Sequence, residues 1–101
     1  MALDEPILTI SVAASLLGVH PRSLMLYERA EIIYPHRTKS KRRLFSKGDL
    51  DRLQFVKYLT QHQGVNLQGV KTLLKAFEVA EKEGVNLKKL LFPDFKAKVL
   101  I

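Results

Sequence analysis

The 101 residues contain no cysteine, which rules out a disulfide framework and a thiolate metal site and fits a reducing compartment. Tryptophan is also missing. No unbroken apolar run approaches the roughly 18 residues that a membrane-spanning helix needs. The opening MALDEPILTI is acidic and interrupted by Pro6, unlike a secretory signal, so a soluble cytoplasmic protein without export or membrane is expected. Histidine is scarce, and His20, His36 and His62 lack ligand spacing. No glycine-rich phosphate loop, serine–histidine–acid set or paired carboxylates stand out, so neither an enzyme nor a cofactor or metal is expected.

What the chain does have is positive charge, a net +7. It is unevenly spread. Residues 37–47 hold Arg37, Lys39, Lys41, Arg42, Arg43 and Lys47 with no acid among them, while residues 1–36 are net acidic and 48–83 balance. The tail after residue 83 has a smaller excess from Lys88, Lys89, Lys96 and Lys98 against Asp94. Like charge concentrated on so short a segment repels itself, and a polyanion would relieve that repulsion. Double-stranded nucleic acid is the leading partner on this ground, with a merely solvated loop as the bland alternative.

Glycine punctuates the chain at three related places, Gly18-Val19-His20, Gly64-Val65-Asn66 and Gly84-Val85-Asn86. In each, a glycine suited to the left-handed helix stop precedes a polar residue suited to cap the next helix. The intervening valine and the apolar residue four positions into the next helix, Leu24, Val70 or Leu90, are placed as hydrophobic staples. The spacing predicts helices over 12–17 capped by Ser11, 21–30 opened by Pro21, 47–62 with a Ser46/Asp49 capping box, 67–83, and 87 to about 92. Val12, Ala13, Leu16 and Leu17 are expected to form the inner face of the first. Between the second and third helices, Ile32, Ile33 and Tyr34 are expected to face Leu44 and Phe45 in a hairpin whose connection is the basic segment 37–43. The fold class is therefore mainly α: a helix-turn-helix with a small two-stranded β wing and additional C-terminal helices. Residues 1–77 form the binding domain, and 78–101 a helical, apolar tail.

If Leu24 and Tyr27 face inward on the second helix, Arg22, Ser23, Met25, Leu26 and Arg29 face outward. Apolar residues beside arginine suit a surface that meets something. In a major groove Arg22 and Ser23 can hydrogen-bond base edges or phosphates, and Met25 and Leu26 can touch thymine methyl groups. Packing of Met25 and Leu26 on the wing or third helix is the structural alternative. Arg37, Lys39, Lys41, Arg42 and Arg43 on the wing suit phosphates, and four to six such contacts give a log–log salt slope of roughly −4 to −5 per protomer. Arg43 has an internal alternative, a tie to Glu28 or Asp49.

The segments ISVAASLLGVHPRSLMLYE and PHRTKSKRRLFSKGDLDRLQFVKYLTQHQGVNLQGVK resemble the winged-helix DNA-binding domain of the MerR family of bacterial transcription regulators, over about residues 8–77. Within it, GVHP, RRLFS and GVNLQGVK are most similar to the heat-shock repressors that control chaperone genes, and RRLFS also to nitrogen-metabolism repressors. The resemblance implies a homodimeric repressor on an inverted-repeat operator, with the second helix in the major groove and the wing on flanking backbone or minor groove. Arg22 and Ser23 match helix positions, and Arg37 and Arg43 wing positions, that usually face DNA in that family. The sequence departs from the pattern in two places. Met25-Leu26-Tyr27-Glu28 replaces a motif beginning with arginine, and Lys41-Arg42-Arg43 replaces Gly-Tyr-Arg, which moves charge from helix to wing.

The long terminal helix of the family is broken here by Gly84 and Pro93, and these residues are expected to contain no large effector domain. Dimerisation is expected to use the seam containing Leu74 and Phe77, the apolar Phe92, Phe95, Val99, Leu100 and Ile101, or both. The resemblance also implies an Hsp70-type chaperone as a partner of the lysine-flanked apolar end, residues 96–101. Two other classes stay open: an architectural, excisionase-like DNA-bending protein that needs no stable dimer, and a protein-interaction module that uses the apolar tail.

Overall fold

The computed structural model describes residues 4–101. The chain runs β1 (Leu8–Thr9), α1 (Ile10–Leu17), α2 (Pro21–Arg29), β2 (His36–Arg37), β3 (Arg43–Phe45), α3 (Lys47–Gln61), α4 (Leu67–Lys82) and α5 (Leu87–Leu91). It is the expected mainly helical winged architecture, with one addition. The sheet has three strands, in the order β1-β3-β2, all antiparallel. Leu8 and Thr9 pair with Phe45 and Leu44, so the segment preceding α1 closes the inner edge of the wing.

The three glycine corners form as local chemistry dictates. Gly18, Gly64 and Gly84 take φ of 70°, 65° and 76°, and His20, Asn66 and Asn86 each accept a backbone N–H of the following helix. Val19 and Val65 pack against the core beside buried Leu24 and Val70, as staples should. The third staple does not close, because Leu90 is 70% exposed. A fourth glycine, Gly69, has a different role: a Cβ there would lie 2.8 Å from Val65 Cγ1, so a small residue is required for the staple to sit on the first turn of α4.

α1 begins two residues before its expected start. Thr9, not Ser11, is its cap, accepting the Val12 N–H at 3.3 Å. The chain enters the helix directly from β1, which sets the phase. Ala13, Ala14 and Leu17 are buried and Val12 faces out, a correction to the face expected from spacing alone. α3 keeps its Ser46/Asp49 capping box and buries Leu50, Leu53, Val56 and Leu59, adding Phe55 on a second side. Being inserted between the other elements, it braces them. Arg52 Nε donates to Ile32 O at 3.0 Å and Lys57 Nζ to Leu17 O at 2.8 Å, so α3 holds the exit of α2 and the end of α1.

The expected hairpin is shorter and set further along the chain. Ile32 and Ile33 are buried in the core as a connector after α2, Tyr34 projects outward, and the strands pair His36 with Leu44 and Arg37 with Arg43. Burial on all sides, more than cross-strand pairing, uses the β-branched pair.

The tail returns to the body of the protein. Phe92, Phe95 and Leu100 pack, partly buried, against their own core, as do Leu74 and Phe77. The Phe95 ring lies 5.1 Å from Phe55 and 5.0 Å from Tyr58, and Phe92 lies 5.7 Å from Phe55. Such tilted and edge-to-face pairs add to burial. The Gln54 side-chain amide then clamps Lys98, donating to its carbonyl and accepting from its N–H, both at 2.8 Å. Only Val99 and Ile101 of the expected interface residues are exposed. Lys88 closes the cluster with Nζ 4.3 Å from the Phe55 ring centroid. Burial holds its pKa below the ordinary lysine value; Asp51 offsets part of this and Arg52 adds to it.

Candidate nucleic-acid interface

α2 is short and amphipathic because Leu24 and Tyr27 anchor one side while Pro21 and the His20 Nδ1 acceptor define its start. The opposite face carries Arg22, Met25, Leu26 and Arg29, all exposed and separated by three, one and three residues. Met25 and Leu26 are exposed to 38% and 44% and lie outside the buried core. Ser23 is half-buried at the rim.

The wing tip is a tight loop. Thr38 N–H donates to Arg42 O at 3.0 Å and Lys41 N–H to Thr38 O at 2.8 Å, leaving Lys39, Ser40 and Lys41 at the tip. Thr38 Oγ1 also accepts the Arg42 N–H at 3.0 Å and shares a hydrogen bond with Ser40 Oγ. Lys41 takes the left-handed conformation, φ 66°, where glycine is favoured. A long cation stands where the backbone prefers no side chain.

The five wing cations divide into two groups. Arg43 Nε donates to Glu28 Oε1 at 2.6 Å, and Arg37 Nη2 reaches both oxygens of the same carboxylate at 3.1 and 3.2 Å. Arg37 also donates from Nη1 to Lys41 O at 2.8 Å, which ties the loop to its own stem. Burial alone would raise the Glu28 pKa, but the hydrogen bonds and charges of Arg43 and Arg37 outweigh it and hold the carboxyl below its ordinary value. Lys39, Lys41 and Arg42, by contrast, are exposed and make no ion pair among the described residues.

Glu28 therefore docks the wing on α2. The tie between Arg43 and Glu28 was legible as an option; the second arm, from Arg37, was not, since nothing in the local spacing couples residues 28 and 37. Asp49 is occupied by its capping box, so it does not compete for Arg43. The result is one surface: the outward face of α2 and, pinned beside it, a loop with three uncompensated cations. No group of three or more histidine, cysteine, aspartate or glutamate side chains suited to a metal ion occurs among the described residues. No helix among them is long and apolar enough to cross a membrane.

A family model described as MerR HTH family regulatory protein matches residues 8–76, the whole stretch from β1 through most of α4. The chain belongs to the MerR family. Among curated MerR-like relatives, it is 40% identical over 72 residues to the heat shock protein HspR of Streptomyces coelicolor, covering 71% of this chain and 48% of that protein. It is 37% identical over 71 residues to the HTH-type transcriptional regulator GlnR of Bacillus anthracis, and equally to GlnR of Bacillus cereus, covering 70% of this chain and 54% of each. The chain thus spans about half the length of these relatives. GlnR is a transcriptional regulator by name and HspR a heat shock protein, and the region matched by the family model contains α2, the wing and their Glu28 tie.

Proposed function

We propose that this MerR-family chain grips double-stranded DNA as the binding module of a transcription regulator, a cytoplasmic repressor acting as a homodimer on an inverted-repeat operator. The observation that carries this reading is the trio Lys39, Lys41 and Arg42, left unpaired on a wing that Glu28 holds beside the exposed face of α2. Charge so arranged meets phosphates in fixed register while α2 enters the major groove. Arg22 and Arg29 supply hydrogen bonds there, Ser23 reaches from the rim, and Met25 and Leu26 offer apolar contact to thymine methyl groups. Arg37 and Arg43 act chiefly by aiming the wing; the single carboxylate of Glu28 answers one of their two charges. Likeness to HspR supports heat-shock genes as the regulon. None of this requires an enzymatic group.

The dimer face moves with the tail. Phe92, Phe95, Leu100, Leu74 and Phe77 are engaged within the chain, so a second copy is better served by Val79, Leu90 and Leu91, which are 55%, 70% and 52% exposed on α4 and α5. An Hsp70-type chaperone, which reads extended apolar segments, is less well served: the Gln54 clamp holds the backbone at Lys98 and Leu100 is partly buried, so of the apolar residues in 96–101 only Ala97, Val99 and Ile101 are exposed.

Selection of bound fragments from genomic DNA, followed by anisotropy titration of the selected duplex at several salt concentrations, tests the reading. The expected result is an inverted repeat, bound by two chains, with affinity falling steeply as salt rises. Salt-independent binding, or no duplex affinity at low ionic strength, overturns it. A monomer that bends DNA without sequence preference favours the architectural alternative.

A further inference from the structure

A cleft of about 550 Å³ lies between the end of α1, the second half of α3 and the returning tail, apart from the α2 face and the wing. Its size falls in the range of small-molecule sites. Two chemistries line it. Leu16, Leu17, Phe95 and Leu100 supply apolar wall, while Lys57, Lys96 and Lys98 set three ammonium groups against the single carboxylate of Asp94. None of these lysines makes an ion pair among the described residues.

Lys57 is the most informative of them. Lys57 is half-buried, and its ammonium donates to Leu17 O at 2.8 Å and to no other acceptor among the described residues, although such a group has three donors. A cation in partly apolar surroundings with donors to spare is stabilised by an anion. The wall opposite is held without any ligand, by the Gln54 clamp on Lys98 and by the Phe95 ring against Phe55 and Tyr58.

We propose that this cleft binds a small amphipathic organic anion, its carboxylate at Lys57 and a hydrocarbon or aromatic body of roughly ten heavy atoms along Phe95 and Leu100. The site goes beyond the DNA reading and stands whether or not the wing grips a duplex.

The experiment is an NMR titration of the full chain with 4-phenylbutyrate, and in parallel with its neutral amide. The carboxylate is expected to shift backbone amides of residues 15–18, 54–58 and 94–100 saturably, and to bind about tenfold more tightly than the amide. Lys57→Met is expected to erase that preference. Because Lys57→Met also removes the bond to Leu17, a second variant, Lys96→Gln with Lys98→Gln, serves as a control on exposed positions; it is expected to weaken the carboxylate several-fold with unchanged melting temperature. Equal affinity for acid and amide overturns the proposal. So do shifts that scatter over the surface without saturating, or a carboxylate preference that survives in both variants.

Discussion

Arg43 Nε meets Glu28 Oε1 at 2.6 Å across fifteen residues of sequence, and this contact joins the stem of the wing to the helix beside it. Glu28 is an acid within a surface otherwise built from cations, so its removal raises net charge. Charge counting alone would have Glu28→Ala bind a polyanion more tightly. The geometry says the reverse: the variant frees the wing to swing, and the entropy of fixing it is then lost from binding. The expected outcome is weaker duplex affinity and a stability loss of about 1 kcal/mol, read by anisotropy and thermal melting.

The same carboxylate gives the wing an acid limit. Its folded-state pKa lies below the ordinary glutamate value, so its contribution to stability is complete above that value, about 4.3, and disappears as pH falls through the folded pKa. Amide chemical shifts of residues 37–43 followed from pH 6 to pH 3 should report undocking of the wing. In Glu28→Gln that titration should vanish.

Salt dependence separates the gripping cations from the aiming ones. Replacing Lys39, Lys41 and Arg42 singly by alanine should each reduce the log–log salt slope by about 0.9 per protomer. Arg37→Ala should reduce the slope less than any of these three, since Arg37 shares the Glu28 carboxylate with Arg43, while lowering the melting temperature.

Among the described residues, two other than glycine occupy the left-handed region, Glu31 at φ 61° and Lys41 at φ 66°. Glycine at either should stabilise the fold by about 0.5–1 kcal/mol by relieving backbone strain. Glu31→Gly forfeits only an exposed ion pair with Lys71 at 3.6 Å, which is worth little. The two differ in function: Glu31→Gly should bind duplex DNA as the parent does, whereas Lys41→Gly should gain stability and lose affinity. Melting and anisotropy on both variants check this.

Phe95 holds the tail. Phe95→Ala removes a ring that packs on Phe55 and Tyr58, and a loss of about 2 kcal/mol is expected for its partly buried surface. Hydrogen exchange should then show the Lys98 amide, protected by Gln54 in the parent, exchanging faster than α3.

The corners, the caps of α2 to α5 and the outward face of α2 were determined by the sequence by itself. Their partners lie within a few positions: His20 accepts from the residue two on, Ser46 and Asp49 satisfy each other across three, and Leu24 with Tyr27 sets which way Arg22, Met25, Leu26 and Arg29 point. Hydrogen bonds and helical periods of that reach leave a local pattern that can be read directly. Only the tertiary structure decided that Leu8 and Thr9 join the wing, that Arg37 and Arg43 share Glu28, and that Phe92 and Phe95 pack on Phe55. In each of those cases several distant partners had the right chemistry, as Glu28 and Asp49 both did for Arg43. The choice fell to whichever one the packing of α3 against its neighbours brought within contact distance.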